Sequence, residues 1–183
     1  MSGLFLYLIM SKPNILGICG SASKLSSNFE LLKTLSIKFD DKFDWILTNE
    51  LREFPLFRPE DLEKETPELI QKFKIQIKKA DAIIIVAPEY THNIPAVLKN
   101  ALEWLTASGE FANKPLLPIT FTPAPPRGKY AMQSLLESLK TMDAKVITQL
   151  SLYKSDVKFD DYEISLSEEI ETMLQEAMNL FTN

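Results

Sequence analysis

The chain has one cysteine and one histidine among its 183 residues. A single cysteine excludes an internal disulfide and fits a reducing compartment, so a cytoplasmic location is expected. Cys19 ends an apolar strand and reads as a buried structural thiol rather than a redox one. With one histidine, one cysteine and no clustered carboxylate motif, nothing points to a bound metal. Net charge is −5, and no Lys/Arg cluster occurs, so nucleic-acid binding has no support. Long apolar runs are also missing. GLFLYLIM (3–10) is too short to span a bilayer and lacks the basic flank of a signal peptide, so no membrane role is expected. No repeat, low-complexity tract or linker divides the chain. Residues 12–183 therefore read as a single domain with one sizeable core. Residues 1–11 read as an N-terminal extension, either disordered or the result of a misassigned start.

What is present is an alternation of strands and helices with βαβ spacing. DAIIIVA (81–87) reads as a strand buried on both faces of a parallel sheet. The loop PEYTH (88–92) follows, and then a helix with Val97, Leu98, Ala101, Leu102 and Leu105 on one face. Upstream, NILGICG (14–20) is a strand, and GSASKLSSN (20–28) leads into a helical pattern at Leu25, Phe29, Leu32, Leu35 and Phe39. Hydroxyls and free N–H groups at a helix start make an anion site. The loop is neither a Walker A sequence nor a G-x-G-x-x-G fingerprint, and a monophosphate suits it better.

Further strands are expected at FDWILTN (43–49), KPLLPITFT (114–122), irregular at Pro118, and AKVITQLSL (144–152). A helix is expected from Thr66-Pro67-Glu68, with proline in its first turn and Leu69, Ile70, Phe73 and Ile77 buried. Another covers Gly128–Met142, facing inward with Met132, Leu135, Leu136, Leu139 and Met142. The segment 153–164 reads as a connection to a last helix capped by Ser165 and Glu168. The fold class is α/β: a three-layer α/β/α, flavodoxin-like arrangement on a five-stranded parallel sheet of order 2-1-3-4-5. Both loops would then flank one crevice at the switch point.

On these residues the chain resembles the NAD(P)H-dependent FMN reductases, a family that includes flavin, quinone, azo-dye and chromate reductases. Gly20, Ser21, Ser26 and Asn28 match its G-S-x-R-x-x-S-x-N loop. Pro88, Glu89, Tyr90, Pro95, Leu98, Lys99, Asn100, Ala101 and Trp104 match its P-E-Y-N loop and L-K-N-A helix. The departures are Ser23 for arginine, Thr91 for asparagine, Ala96 for glycine, and TPAPPRGK (122–129) where a glycine-rich loop is usual. Prolines carry no N–H, so this third loop offers fewer donors.

The resemblance implies non-covalently bound FMN, with NADPH or NADH as the electron donor. Hydride would pass from nicotinamide to FMN and then to a quinone, flavin, azo compound or similar small-molecule acceptor. Ser21, Ser23, Ser26, Ser27 and Asn28 would hold the phosphate, helped by Lys24. Pro88, Glu89, Tyr90, Thr91 and His92 would edge the isoalloxazine, and Thr122 would reach a third side. No side chain is assigned as catalytic, because the cofactor carries the chemistry. Glu89 reads equally as a helix-dipole partner or an intersubunit contact, and His92 as a solvated loop histidine. Arg127 reads either as a contact to the flavin or to a nucleotide phosphate, or as a solvated residue. Surplus apolar surface at Leu102, Trp104 and Leu105 suggests a homodimer or homotetramer. The alternatives are a flavin-poor regulatory or binding member of the family, or a flavodoxin-type electron carrier.

Overall fold

Side-chain alternation along the strands divides the core in two. In β3 (Ala82–Ala87), Ile83, Ile85 and Ala87 join one apolar cluster and Ile84 and Val86 the other. All five are fully buried, each large side chain contributing about 1.5–3 kcal/mol. The computed structural model describes residues 11–160 and 163–182, and the expected N-terminal extension, apart from Ser11, lies outside the described residues. β1 (Asn14–Cys19), β2 (Asp44–Thr48) and β4 (Pro115–Thr122) complete the centre of a parallel sheet. With β5 (Lys145–Val146) the order is β2-β1-β3-β4-β5, the expected flavodoxin-like arrangement. α1 (Ser27–Lys38) and α5 (Glu168–Asn179) pack on one face. α2 (Glu68–Lys79), α3 (Ala96–Glu103) and α4 (Lys129–Lys140) pack on the other.

The expected fifth strand is split. β5 pairs with Pro115 and Leu116, and β6 (Leu150–Tyr153) pairs with β4 from Ile119 to Thr122. The interruption faces Leu117 and Pro118. Pro118 is buried in the middle of β4, paired in register with Ile85 of β3, and has no N–H to give a second neighbour. The segment after β6, expected as a connection, contains an antiparallel pair, β7 (Lys158–Asp160) with β8 (Glu163–Ser165).

Several local expectations are corrected. Leu25 is 80% exposed because α1 starts two residues later, and Leu69 is exposed on the outer side of the first turn of α2. Pro67 is the residue before α2 rather than part of its first turn. α5 is capped by Ser167, whose hydroxyl accepts from Ile170 N–H, not by Ser165. Leu136 and Met142 are half-buried rather than core residues. Leu102, Trp104 and Leu105 are all buried within the single chain, so they leave no surplus apolar face for a partner.

The motif residues on α3 do structural work. Asn100 accepts from Phe57 N–H at 2.8 Å and donates to Pro55 O at 3.0 Å. Trp104 Nε1 donates to the same Pro55 carbonyl at 2.8 Å, and its ring meets Phe57 edge-on at 5.2 Å. Together they fasten the irregular 54–57 segment to the helix.

Candidate active-site cleft

Three loops leave the carboxyl ends of β1, β3 and β4, where open α/β sheets bind ligands. They enclose a cleft of about 260 Å³ lined by Ser21, Ser23, Ser26, Ser27 and Asn28, by Pro88, Glu89 and Tyr90, and by Arg127 and Lys154. Larger hollows exist, such as one of about 790 Å³ around Lys140 and Lys145, but that one faces the opposite, amino-terminal end of β5. Convergent donors, not volume, single out the smaller cleft.

The first loop is built around unused donors. Among the described residues, Ser23 is the one amide between Ala22 and Asn28 with a partner, Ser21 Oγ at 3.2 Å. Ser26 occupies the position before α1, yet its hydroxyl does not cap the helix and instead accepts from the Cys19 thiol at 3.6 Å. The N–H groups of Ser27 and Asn28 therefore have no partner among the described residues, while Phe29 N–H donates to Ser26 O at 2.9 Å. Asn28 is almost fully buried, and its Oδ1 has no partner among the described residues. Burial pushes the Cys19 thiol above its ordinary value of 9.0, outweighing the Ser21 backbone, the Ser26 hydroxyl and Arg52. Cys19 thus stays a neutral thiol beneath the loop. Gly20 is needed for closeness. A Cβ there would sit 2.9 Å from Leu98 and 3.0 Å from Ala87, so the loop rests directly on β3 and α3.

The second loop is a two-residue hairpin. Tyr90 and Asn93 exchange both backbone hydrogen bonds at 3.0 Å, and Thr91 and His92 between them have φ of 52° and 54°. That is the signature of a type I′ turn. It carries Thr91 and His92 away from the cleft, and His92 stacks on Tyr130 at 4.5 Å. Glu89 serves the helix-dipole role. Its Oε2 accepts from the N–H groups of Gly128, Tyr130 and Ala131 at 3.0, 3.0 and 3.1 Å, so it caps α4 from across the cleft.

In the third loop Thr122 is fully buried, and its hydroxyl donates to Arg127 O at 3.0 Å, so it cannot face a ligand as expected. Gly128, at φ 99°, sits against Thr120, where a Cβ would approach Oγ1 to 2.8 Å. Of the expected residues the structure gathers Ser21, Ser23, Ser26, Ser27, Asn28, Pro88, Glu89 and Tyr90 into the cleft. Lys24, Thr91, His92 and Thr122 do not line it. Sequence reasoning passed over Lys154. Its signal was its place at the carboxyl end of the last strand of the sheet, beside the end of β4.

Residues 13–156 match the family of NADPH-dependent FMN reductases. The chain belongs to that family. It is 37% identical over 105 residues to the NADH:(hydroxy)cinnamate reductase subunit CrdA of Vibrio ruber, a match covering 57% of this chain and 51% of that one. The chain thus spans about half the length of that relative. It is 28% identical over 141 residues to a quinone reductase of Escherichia coli, covering 75% of each chain. Its fold superposes on FerB, an NAD(P)H:(acceptor) oxidoreductase of Paracoccus denitrificans, with a TM-score of 0.78 and 22% identity over 92% of this chain and 94% of that one.

The cleft residues fit FMN. The unpartnered Ser27 and Asn28 N–H groups and the hydroxyls at the start of α1 suit a phosphate, and Pro88 to Tyr90 offer a flat wall. Among the described residues, no helix is long and apolar enough to cross a membrane, and no cluster of metal-binding side chains occurs.

Proposed function

We propose that this chain is an NAD(P)H-dependent FMN oxidoreductase that delivers reducing equivalents to a quinone, flavin, azo compound or similar acceptor. One observation carries the reading: the start of α1, without a side-chain cap and with the Ser27 and Asn28 N–H groups unpartnered among the described residues, opens into a cleft walled by Pro88, Glu89 and Tyr90. When bound, FMN supplies a centre that accepts and releases a hydride. The chain's own residues do the positioning. Amides at the start of α1, with the hydroxyls of Ser21, Ser26 and Ser27, hold the phosphate, while the Ser23 hydroxyl donates to Leu25 O at 3.1 Å and shapes the loop. Glu89 locks the second loop to α4 through three N–H groups, which fixes the cleft's width. Tyr90, 51% exposed at the rim, shields one side of a planar ligand while leaving room for a second planar molecule. No side chain needs to move a proton for the hydride to enter. The E. coli relative's name, quinone reductase, supports the acceptor class. A homodimer or homotetramer belongs to the same reading, with exposed Leu25 and Tyr90 as apolar rim surface and light scattering as its check.

The test is the visible spectrum of the purified protein, with added FMN and then NADPH. Flavin bands that bleach and return in air are expected. FMN should bind at least about tenfold more tightly than riboflavin, because the cradle reads the phosphate. Equal affinity for the two, or no binding, would remove the reading.

A further inference from the structure

Arg127 and Lys154 both line the cleft, and among the described residues neither has an ion-pair partner. Other cations nearby do not share this placement, since Lys24 lies outside the lining. Both backbones are held in place. Arg127 N–H donates to Ala124 O at 3.2 Å while its carbonyl accepts from Thr122, and Ser155 N–H donates to Pro123 O at 3.2 Å. The end of β6 is thereby tied to the proline loop. The cleft's one carboxylate, Glu89, has an oxygen committed to three N–H groups of α4.

Position separates these cations from the phosphate cradle. The cradle follows β1 and Lys154 follows β6, with β3 and β4 between them. Three strand spacings set the Lys154 backbone about 14 Å from the cradle and two set the Arg127 loop about 10 Å from it, so the two cations enter the cleft from its other side. In a chain of net charge −5, two unpaired cations at the far end of a ligand cleft form a local field that attracts anions.

We propose that Arg127 and Lys154 form a second anion subsite, which favours reaction partners bearing a carboxylate, sulfonate or phosphate. The inference rests on the oxidoreductase reading. The anion has two sources: an acidic group on the electron acceptor, or the extra phosphate that distinguishes NADPH from NADH. Arg127 supplies a planar fork and Lys154 a point charge, so together they suit an oxyanion of either kind.

The experiment compares the FMN-loaded wild type with a variant carrying Arg127→Gln and Lys154→Gln. KM is measured for naphthoquinone sulfonate against unsubstituted naphthoquinone, and for NADPH against NADH. The dissociation constant of the sulfonate is read separately from tryptophan fluorescence, with and without FMN. Loss of two charge-assisted contacts should shift one charged-to-neutral KM ratio about tenfold. A shift in the quinone ratio assigns the anion to the acceptor, and a shift in the dinucleotide ratio assigns it to the donor. Arg127→Lys with Lys154→Arg, which keeps both charges, should restore the ratio. Both ratios within about twofold of wild type would overturn the proposal. So would a weakened FMN affinity with unchanged ratios, which would give the two cations to the flavin. Failure of the wild type to bind FMN would instead sink the oxidoreductase reading, and the flavin-free sulfonate constant would still decide the subsite.

Discussion

The loop after β1 leaves its amides from Lys24 to Asn28 without partners among the described residues. By contrast, the loop after β4 has prolines at 123, 125 and 126 and gives the N–H groups of Arg127 and Gly128 to Ala124 O and Glu89. Both loops leave the same end of one sheet, yet they offer a ligand different groups. The first offers backbone donors and hydroxyls at a helix start, which suit a fixed oxyanion. The second uses its donors to hold its own shape and presents side-chain charge instead. Ligand sites on this fold need not repeat one chemistry at each strand end.

The contrast breaks most readily at Gly128. Replacing it with alanine places a Cβ against buried Thr120 at a φ of 99° and should cost about 2–3 kcal/mol in urea unfolding. A cost below about 0.5 kcal/mol would mean that the third loop is not held by this turn. Next in size is Glu89. Glu89→Ala should cost about 1–2 kcal/mol, with Glu89→Gln recovering part of it, because three N–H groups at the start of α4 lose their acceptor. Equal stability of all three proteins would detach the second loop from the third.

The smallest effect concerns Cys19 under the first loop. Its thiol is raised above 9.0 in the folded chain, so the folded state keeps the proton longer than the unfolded one. Stability should therefore be unaffected below about pH 8 and decline as pH climbs from 9 toward the folded value. Disulfide-exchange reagents should leave the thiol untouched at neutral pH until urea unfolds the chain. A thiol that reacts in the folded protein would show that the cradle's polarity reaches the sulfur.

Sheet order and both principal loops were legible because buried runs such as Ile83–Val86 admit few other readings. Periodicity failed where a residue only bordered a helix. Leu25 and Leu69 fit the apolar spacing, but helix ends do not face the core over a full turn. β7 and β8 are three residues each, with one apolar residue between polar ones, a pattern too short to register as strands. The structure places the serine loop along the cleft and leaves Thr122 and His92 outside its lining. A hydroxyl or imidazole in a loop has local partners to choose from, here Arg127 O and the Tyr130 ring. Trp104 looked like surface to be covered, and its partner was a carbonyl 49 residues away.

Pro118 has a consequence beyond the middle of the sheet. By interrupting the neighbouring ladder, it leaves the outermost row as two short strands of two and four residues rather than one continuous strand. A broken border is a poor template for a stray extended chain, whereas a long regular one invites stacking into aggregates. A single imino acid buried in a central strand thus guards the solubility of the sheet's far margin.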